Sequence, residues 1–249
     1  MPAEIVGLFA AGILLEWVHP LRQWNAYHAF ADTRPWLGIA NAANVLSNVP
    51  IFLAGLALFA QIFRPGDAGR SASPGLVVAG IGLMFTGFGS AWYHLAPSDA
   101  TLIWDRLPLA TVFAGALLTA WACSGMTPPP TNADAAFVVF ASFASVAYWV
   151  WLGSLWPYAI LQFGALVALL VLALRNRLVP ARAWWLLILF YALAKVCELL
   201  DHPIWALTQQ VVSGHTLKHL LSAAAGFCFL WIAAGSPARV PAVARPCQA

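Results

Sequence analysis

The sequence predicts an all-α membrane protein, a bundle of transmembrane helices drawn from about eight hydrophobic segments. Only 8% of the 249 residues are charged, against roughly 25% in ordinary soluble domains, so the charges are too few to cover a water-exposed surface. Runs of about 20 mainly apolar residues recur, which is the length of a helix that crosses about 30 Å of hydrocarbon. The 13 tryptophans suit many anchoring positions at the membrane surface.

Helix-breaking residues separate these segments. Pro-Gly-Asp-Ala-Gly-Arg-Ser-Ala-Ser-Pro (65–74) follows the second segment and Thr-Pro-Pro-Pro-Thr-Asn (127–132) precedes the fifth. The continuous apolar runs exclude a transmembrane β-barrel, whose strands alternate over roughly ten residues. The predicted segments cover about 4–19, 40–63, 75–97, 101–123, 134–153, 157–175, 183–206 and 212–235.

The chain divides into three parts. Residues 1–39 are expected to form a short hydrophobic helix and a connecting loop. Glu4 lies where a signal peptide is basic, and no small-residue cleavage site precedes His19, so we expect this helix to be retained. Residues 40–235 form the transmembrane core, and the polar, proline-rich residues 236–249 are expected to be a flexible tail.

The basic residues predict orientation rather than a polyanionic partner. They are scattered through short connections instead of forming a stripe, which does not favour nucleic acid binding, and no feature predicts an obligate protein partner. With eight spans, seven arginines lie on one side and three on the other, which predicts that both termini are cytoplasmic. The two groups are Arg64, Arg70, Arg175, Arg177, Arg182, Arg239 and Arg245, and Arg22, Arg34 and Arg106.

Polar side chains within the hydrophobic segments converge on one level of the membrane. Such groups are expensive in lipid and are functional candidates by default. When the spans are traced back and forth, all of them fall toward the non-cytoplasmic side. They are Asn41, Asn44, Ser47, Asn48, Ser90, His94, Asp105, Arg106, Glu198, Asp201, His215, Lys218 and His219.

Histidine spacing indicates a metal site. His215 and His219 are four residues apart, so both imidazoles leave one face of a helix, and Ser90 and His94 have the same spacing elsewhere. Three histidines leave the fourth position of a tetrahedral zinc ion open, which is typical of catalytic sites. Zinc in such a site lowers the pKa of water to roughly 7 and makes hydroxide available to attack a carbonyl carbon.

Other interpretations of these residues remain open. An isolated HxxxH pair is also compatible with two hydrogen-bonded histidines, and Asp105 with an ion pair to Arg106 or Lys218. The asparagines at the start of the second segment are compatible with contacts between helices. We expect the remaining histidines, His19, His28 and His202, to lie in loops or at the membrane interface. Four cysteines without CxxC spacing predict neither a disulfide framework nor a cysteine-rich metal site.

Three motifs together resemble the alkaline ceramidases, members of a superfamily of seven-helix membrane hydrolases that includes the adiponectin receptors. The motifs are NVLSN (44–48), GSAWYHLAPSDATLIWDRLP (89–108) and SGHTLKHLL (213–221). By this resemblance the second to eighth segments are the seven core helices, and segment 4–19 is an additional one. The resemblance implies that His94, His215 and His219 bind one zinc ion, with Ser90 and Asp105 close to the water that attacks the substrate.

The resemblance does not extend to calcium. Animal alkaline ceramidases carry an acidic calcium site before and at the start of the first core helix. Asn41 occupies the position of the family's glutamate, and no Asp-Trp-x-Glu-x-Asn run precedes it. The segment HAFADTRPWLGIAN (28–41) more closely resembles the bacterial, alkaline phytoceramidase-like branch, which implies a bacterial inner membrane protein.

These observations favour zinc-dependent hydrolysis of the amide bond of a ceramide-like lipid, which releases a sphingoid base and a fatty acid. Asp105 is the expected proton-transfer group and Ser90 the expected donor to the oxyanion. Asp201 or Glu198 is expected to orient a ligand imidazole, and Lys218 to pair with one of these carboxylates or with a fatty-acid product. Two alternatives are a lipid esterase using the same zinc, and a lipid-binding receptor with weak hydrolytic activity.

Overall fold

A computed structural model of the chain describes residues 14–16, 19–64, 73–126 and 128–235. These residues contain α-helices and no β-strand, which confirms the predicted all-α class. The helices are α1 (Ala42–Leu46), α2 (Val49–Ile62), α3 (Pro74–Leu95), α4 (Asp99–Cys123), α5 (Asn132–Leu152), α6 (Trp156–Leu174), α7 (Ala181–Leu199), α8 (Asp201–Leu207) and α9 (Gly214–Gly235).

The helices are long and apolar enough for a multi-pass membrane protein. Among the described residues, α1 with α2, α3, α4, α5, α6 and α9 each meet the length and hydropathy of a span, and α7 with α8 makes a seventh if the bent pair is one span. Residues 4–13 and 236–249 lie outside the described residues. The N-terminal helix and the flexible tail therefore stay predictions.

The predicted segment 183–206 is wrong as one continuous helix. It is broken at Leu200, where α7 and α8 meet at an angle of 81°. Pro203 explains the break, since a proline in a continuous helix has no N–H to donate and its ring collides with the carbonyl four residues earlier, here that of Leu199. In α8, Pro203 instead occupies the first turn, where no N–H is needed.

The first span is interrupted as well, between α1 and α2. Pro50 lies in the first turn of α2, where it is tolerated, but it would collide with the carbonyl of Leu46 in an unbroken helix. At the break the N–H of Asn48 donates to the carbonyl of Val45 at 3.2 Å. The carbonyl of Asn44, which would accept that bond in a regular α-helix, is thereby left for side-chain donors.

Helices α3 and α4 approach most closely at Gly89. Pro108 lies inside α4 and cannot donate to the carbonyl of Trp104, and this carbonyl lies against Gly89 of α3. A Cβ atom built on Gly89 would overlap the Trp104 carbonyl, so only glycine fits. The next residues along the two helices are Ser90 and Asp105, which this contact therefore brings together.

Gly89→Ala is expected to force α3 and α4 apart. Overpacking typically costs about 1–3 kcal/mol, and an overlap with main chain belongs at the upper end because a carbonyl cannot change rotamer. We expect a lower thermal unfolding temperature. Gly164→Ala in α6 is the matched control, since a Cβ atom there meets nothing within 4 Å. Equal unfolding temperatures for the two variants would contradict the close approach at Gly89.

Candidate metal centre and substrate chambers

His94, His215 and His219 form a buried cluster at one end of the bundle. Their exposed fractions are 0%, 4% and 1%, and one potential ligand atom of each lies within 4.8 Å of the others. His94 lies in the last turn of α3, and the other two occupy the first two turns of α9. The cluster can hold a metal ion.

The hydrogen-bonding capacity of these rings fits a metal better than it fits the protein alone. The Nε2 atom of His215 lies 3.2 Å from the Nε2 atom of His94 and 3.2 Å from the ammonium of Lys218, although a neutral imidazole nitrogen has only one lone pair to offer. His219 Nε2 is buried and has no hydrogen-bond partner among the described residues. Nitrogens bound to one tetrahedral zinc ion at 2.0–2.1 Å lie about 3.3 Å apart. The 3.2 Å between the Nε2 atoms of His215 and His94 is close to this value.

The break in the first span fixes the tautomer of His219. Ser47 Oγ donates its one proton to the freed carbonyl of Asn44 at 3.1 Å. Because that hydroxyl proton is used, Ser47 can only accept from His219 Nδ1, which lies 2.8 Å away. The ring therefore carries its proton on Nδ1 and presents the lone pair of Nε2 to the cluster, as a metal ligand must.

The other predicted residues of this span hold α1 in place. Asn44 is fully buried, donates to the carbonyl of Asp32 at 3.1 Å and accepts from the Thr216 hydroxyl at 3.1 Å. Asn48 Nδ2 donates to the carbonyl of Asn44 at 2.7 Å. Asn41, with its left-handed backbone, donates to the carbonyl of His94 at 2.8 Å. These amides act on main chain around the cluster.

Asp201 contacts the main chain of His215, not its imidazole. Its carboxylate accepts from the N–H of His215 at 2.7 Å and from the N–H of Ala31 at 2.9 Å. A Cβ atom on Gly214 would lie 2.7 Å from Asp201 Cα, so the glycine before His215 permits this approach. Asp201 thus fixes the start of α9, and with it the position of His215.

Ser90 and Asp105 face each other beside the histidines. Both are buried, and their side chains are hydrogen-bonded to each other. An ionised carboxylate can only accept, so the Ser90 hydroxyl is the donor while Asp105 is charged.

Lys218 pairs with Glu198, as one of the sequence interpretations proposed. The Lys218 ammonium lies 3.1 Å from a Glu198 oxygen, and the other Glu198 oxygen contacts Lys195. Glu198 therefore links α7 to α9 through Lys218, while Lys195 belongs to α7 itself. The contacts of Glu198 are with ammonium groups rather than with an imidazole ring.

The segment between residues 20 and 41 covers the cluster. The ring of Phe30 lies 4.4 Å from that of His215 and 4.7 Å from that of His94, measured between centroids. His28, predicted to lie in a loop, bonds the Tyr93 hydroxyl at 2.8 Å, and His202 bonds the carbonyl of Ala29 at 3.0 Å.

Asp32 anchors the same segment. It is 2% exposed and accepts from the Arg34 guanidinium at 2.8 Å. Burial acts to raise the pKa of Asp32, but the hydrogen bonds that Arg34 donates outweigh this effect and hold that pKa below its usual value. The ion pair therefore persists through the ordinary pH range.

Sequence reasoning missed Phe30 and Thr216. Nothing in the local pattern marks Phe30, whose contacts are with residues more than 60 positions away. Thr216 lies in the SGHTLKHLL motif, and its position beside His215 was the available signal.

An apolar chamber extends from this cluster into the bundle. Its volume is about 90 Å³, and Ser90, Asp105, Lys218 and His219 lie at one end. Along α9 it reaches from Lys218 to Phe229, about 16 Å at 1.5 Å per residue. Its walls are leucine, isoleucine, phenylalanine, alanine and valine side chains from six helices, including Ile51, Leu83, Leu109, Val112, Phe113, Leu166, Leu169, Leu187 and Phe229. The chamber has the length and polarity of a site for one lipid chain.

A search of curated proteins found none that matches this chain. The model of one protein family, described as Ceramidase, matches residues 37–235. The matched region contains the three clustered histidines, Ser90, Asp105 and all the described spans. The chain belongs to the ceramidase family.

Proposed function

We propose that this protein hydrolyses the amide bond of ceramide-like lipids within the membrane, using one zinc ion held by His94, His215 and His219. Membership of the family implies an amidohydrolase that acts on a lipid. The observation that carries the proposal is the position of His219, Ser90 and Asp105 at one end of an apolar chamber inside the bundle, with the other two histidines of the cluster beside His219. A chain in the chamber would present its carbonyl to these groups.

A bound zinc ion would supply a Lewis acid that polarises the amide carbonyl and lowers the pKa of water to roughly 7. The protein supplies the rest. Ser47 and the Asn44 carbonyl hold the ring of His219, while Asp201 and Asn41 hold the main chain at His215 and His94. Phe30 packs against the rings of His94 and His215.

Asp105 is the proposed general base and general acid. It accepts a proton from the attacking water and returns it to the departing amine. Ser90 first donates to the charged Asp105 carboxylate. Once Asp105 is protonated it no longer requires that bond, and the Ser90 hydroxyl is released to donate to the oxyanion that forms at the amide carbonyl. The two side chains therefore act in sequence.

The proposed activity is tested by incubating the purified protein with matched lipid amides and lipid esters and identifying the products by mass spectrometry. We expect a sphingoid base and a fatty acid from ceramide in equal amounts. Cleavage of esters alone would replace the amidase by an esterase. If bound lipid is recovered intact from zinc-loaded protein, the interpretation as a lipid-binding receptor replaces the interpretation as an amidase.

We further propose that the metal centre lies toward the non-cytoplasmic face. Arg64, Arg175 and Arg182 lie at helix ends opposite the histidine cluster, and an excess of basic residues favours the cytoplasmic side. A reporter that is active only in the cytoplasm, fused after Ala249, should therefore be active. A well-expressed but silent fusion would place the tail, and the arginine-rich helix ends with it, outside the cytoplasm and would overturn this orientation.

A further inference from the structure

Arg106 is a buried cation whose hydrogen-bonding capacity is not filled. Its side chain is 5% exposed inside a membrane span, where a guanidinium stays charged and is a functional candidate. Nη2 donates to Gln23 at 2.5 Å, but Nη1 is buried and has no partner among the described residues. The guanidinium carbon lies 4.2 Å from the ring centroid of Trp149 and 5.4 Å from those of Tyr27 and Tyr158. Ring faces attract the cation but accept no strong hydrogen bond.

Arg106 lines a second cavity, here called the polar chamber, with a volume of about 190 Å³. The charged side chains in its wall are Arg106, Lys195 and Lys218 against Asp105 and Glu198. Glu198 contacts both lysines, and Asp105 accepts a hydrogen bond from Ser90. With both carboxylates ionised the wall carries one unbalanced positive charge. An uncompensated charge away from water is costly, so the polar chamber favours an anion.

The two chambers adjoin at the proposed reacting groups. Asp105, Lys218 and Gln162 line both of them. From these residues the apolar chamber extends along α9 to Phe229, and the polar chamber extends to Arg106. With an acyl chain in the apolar chamber and its amide at Asp105, the part of the substrate that continues beyond the nitrogen enters the polar chamber. The anion would therefore belong to the amine side of the lipid amide.

We propose that the polar chamber binds an anionic group, a carboxylate or a phosphate, on the amine side of the lipid amide, and that Arg106 is its principal ligand. This inference rests on the proposed function only for the position of the amide. Among lipid amides, those whose amine carries a negative charge within a few bonds of the nitrogen are expected to bind most tightly. Arg106 thereby determines specificity without taking part in proton transfer.

Binding provides the first test, because it does not depend on turnover. N-dodecanoylglycine and N-dodecanoylethanolamine share an acyl chain and differ in carrying a carboxylate or a neutral hydroxyl. Calorimetry with the purified full-length protein should show tighter binding of the glycine amide by roughly 10-fold to 100-fold, the range for a hydrogen bond to a charged group. Equal affinities in the wild type would overturn the inference, whatever any variant does.

Variants assign the preference to Arg106. Arg106→Gln should reduce the ratio of the two affinities to near one, and Arg106→Lys should retain part of it because the charge remains. Arg175→Gln, the same change at an exposed position outside both chambers, should leave the ratio unaltered. A ratio that survives in folded Arg106→Gln protein, judged by its elution volume and unfolding temperature, would overturn the assignment.

Free dodecanoate distinguishes the amine side from the product carboxylate. Its carboxylate is expected at the histidine cluster, so Arg106→Gln should leave its affinity unchanged. If dodecanoate loses as much affinity as N-dodecanoylglycine does, the anion is the fatty-acid product and the amine-side assignment is wrong. Hydrolysis is scored separately. If the wild type prefers the anionic amide but cleaves no lipid amide, the proposed function fails while this inference holds.

Discussion

Replacing both His215 and His219 with alanine is expected to abolish zinc binding, and hydrolysis with it. Elemental analysis should find about one zinc ion per wild-type chain and essentially none in the variant, because His94 alone is a weak site. A metal held by these histidines would link α3 to α9, so its loss should also lower the unfolding temperature of the protein.

His19→Ala is the control for this variant, since His19 is exposed and lies outside the cluster. It should retain the full zinc content. Zinc retained in full by the double variant would show that these histidines are not the ligands. Restoring zinc to chelator-treated wild type should restore both activity and unfolding temperature.

Asp105→Asn is expected to retain zinc while hydrolysis falls by roughly 10²-fold to 10⁴-fold, the contribution of a general acid–base group. The amide is similar in size to the carboxylate but cannot take a proton from water. Asp134→Asn makes the same change at the start of α5, outside both chambers, and should keep turnover within a few-fold of the wild type. Loss of zinc in Asp105→Asn would instead make the carboxylate a ligand.

Ser90→Ala tests the coupling between the two side chains. Alone it should retain zinc and lose roughly 10²-fold to 10³-fold if its hydroxyl serves the oxyanion. Since Ser90 acts after Asp105 has taken a proton, the double variant should lose much less than the product of the two single losses. Strictly multiplicative losses would contradict the sequential roles.

Hydropathy predicted the helices of the core to within a few residues, because a span of apolar residues can satisfy its backbone in lipid only as a helix. It could not reveal the bend at Leu200, since α7 and α8 are both apolar and the signal was the single ring of Pro203. The same limitation applies to Pro50. A local break in a span depends on one residue, and one residue hardly changes the mean hydropathy of a window of about 20 residues.

The sequence predicted which residues form the candidate site better than it predicted which residues they contact. Ser90, His94, Asp105, His215 and His219 are polar in apolar surroundings, and tracing the spans puts them at one level. Their partners depend on packing between distant segments, which no spacing encodes. The contact of Phe30 with two ligand candidates, and of Asp201 with the main chain of His215, required the fold.

The hydrogen bond from Ser47 to the carbonyl of Asn44 has a consequence for how this centre tolerates mutation. The acceptor that sets the tautomer of His219 is a main-chain atom, so no substitution at position 44 removes it. Its availability depends on the interrupted helix, and hence on Pro50, whose side chain is not among the groups around the histidine cluster. Mutation of Asn44 therefore leaves the accepting carbonyl in place, whereas mutation of Pro50, which only shapes the backbone, can remove it from its position. A survey of side chains near the histidines would overlook Pro50.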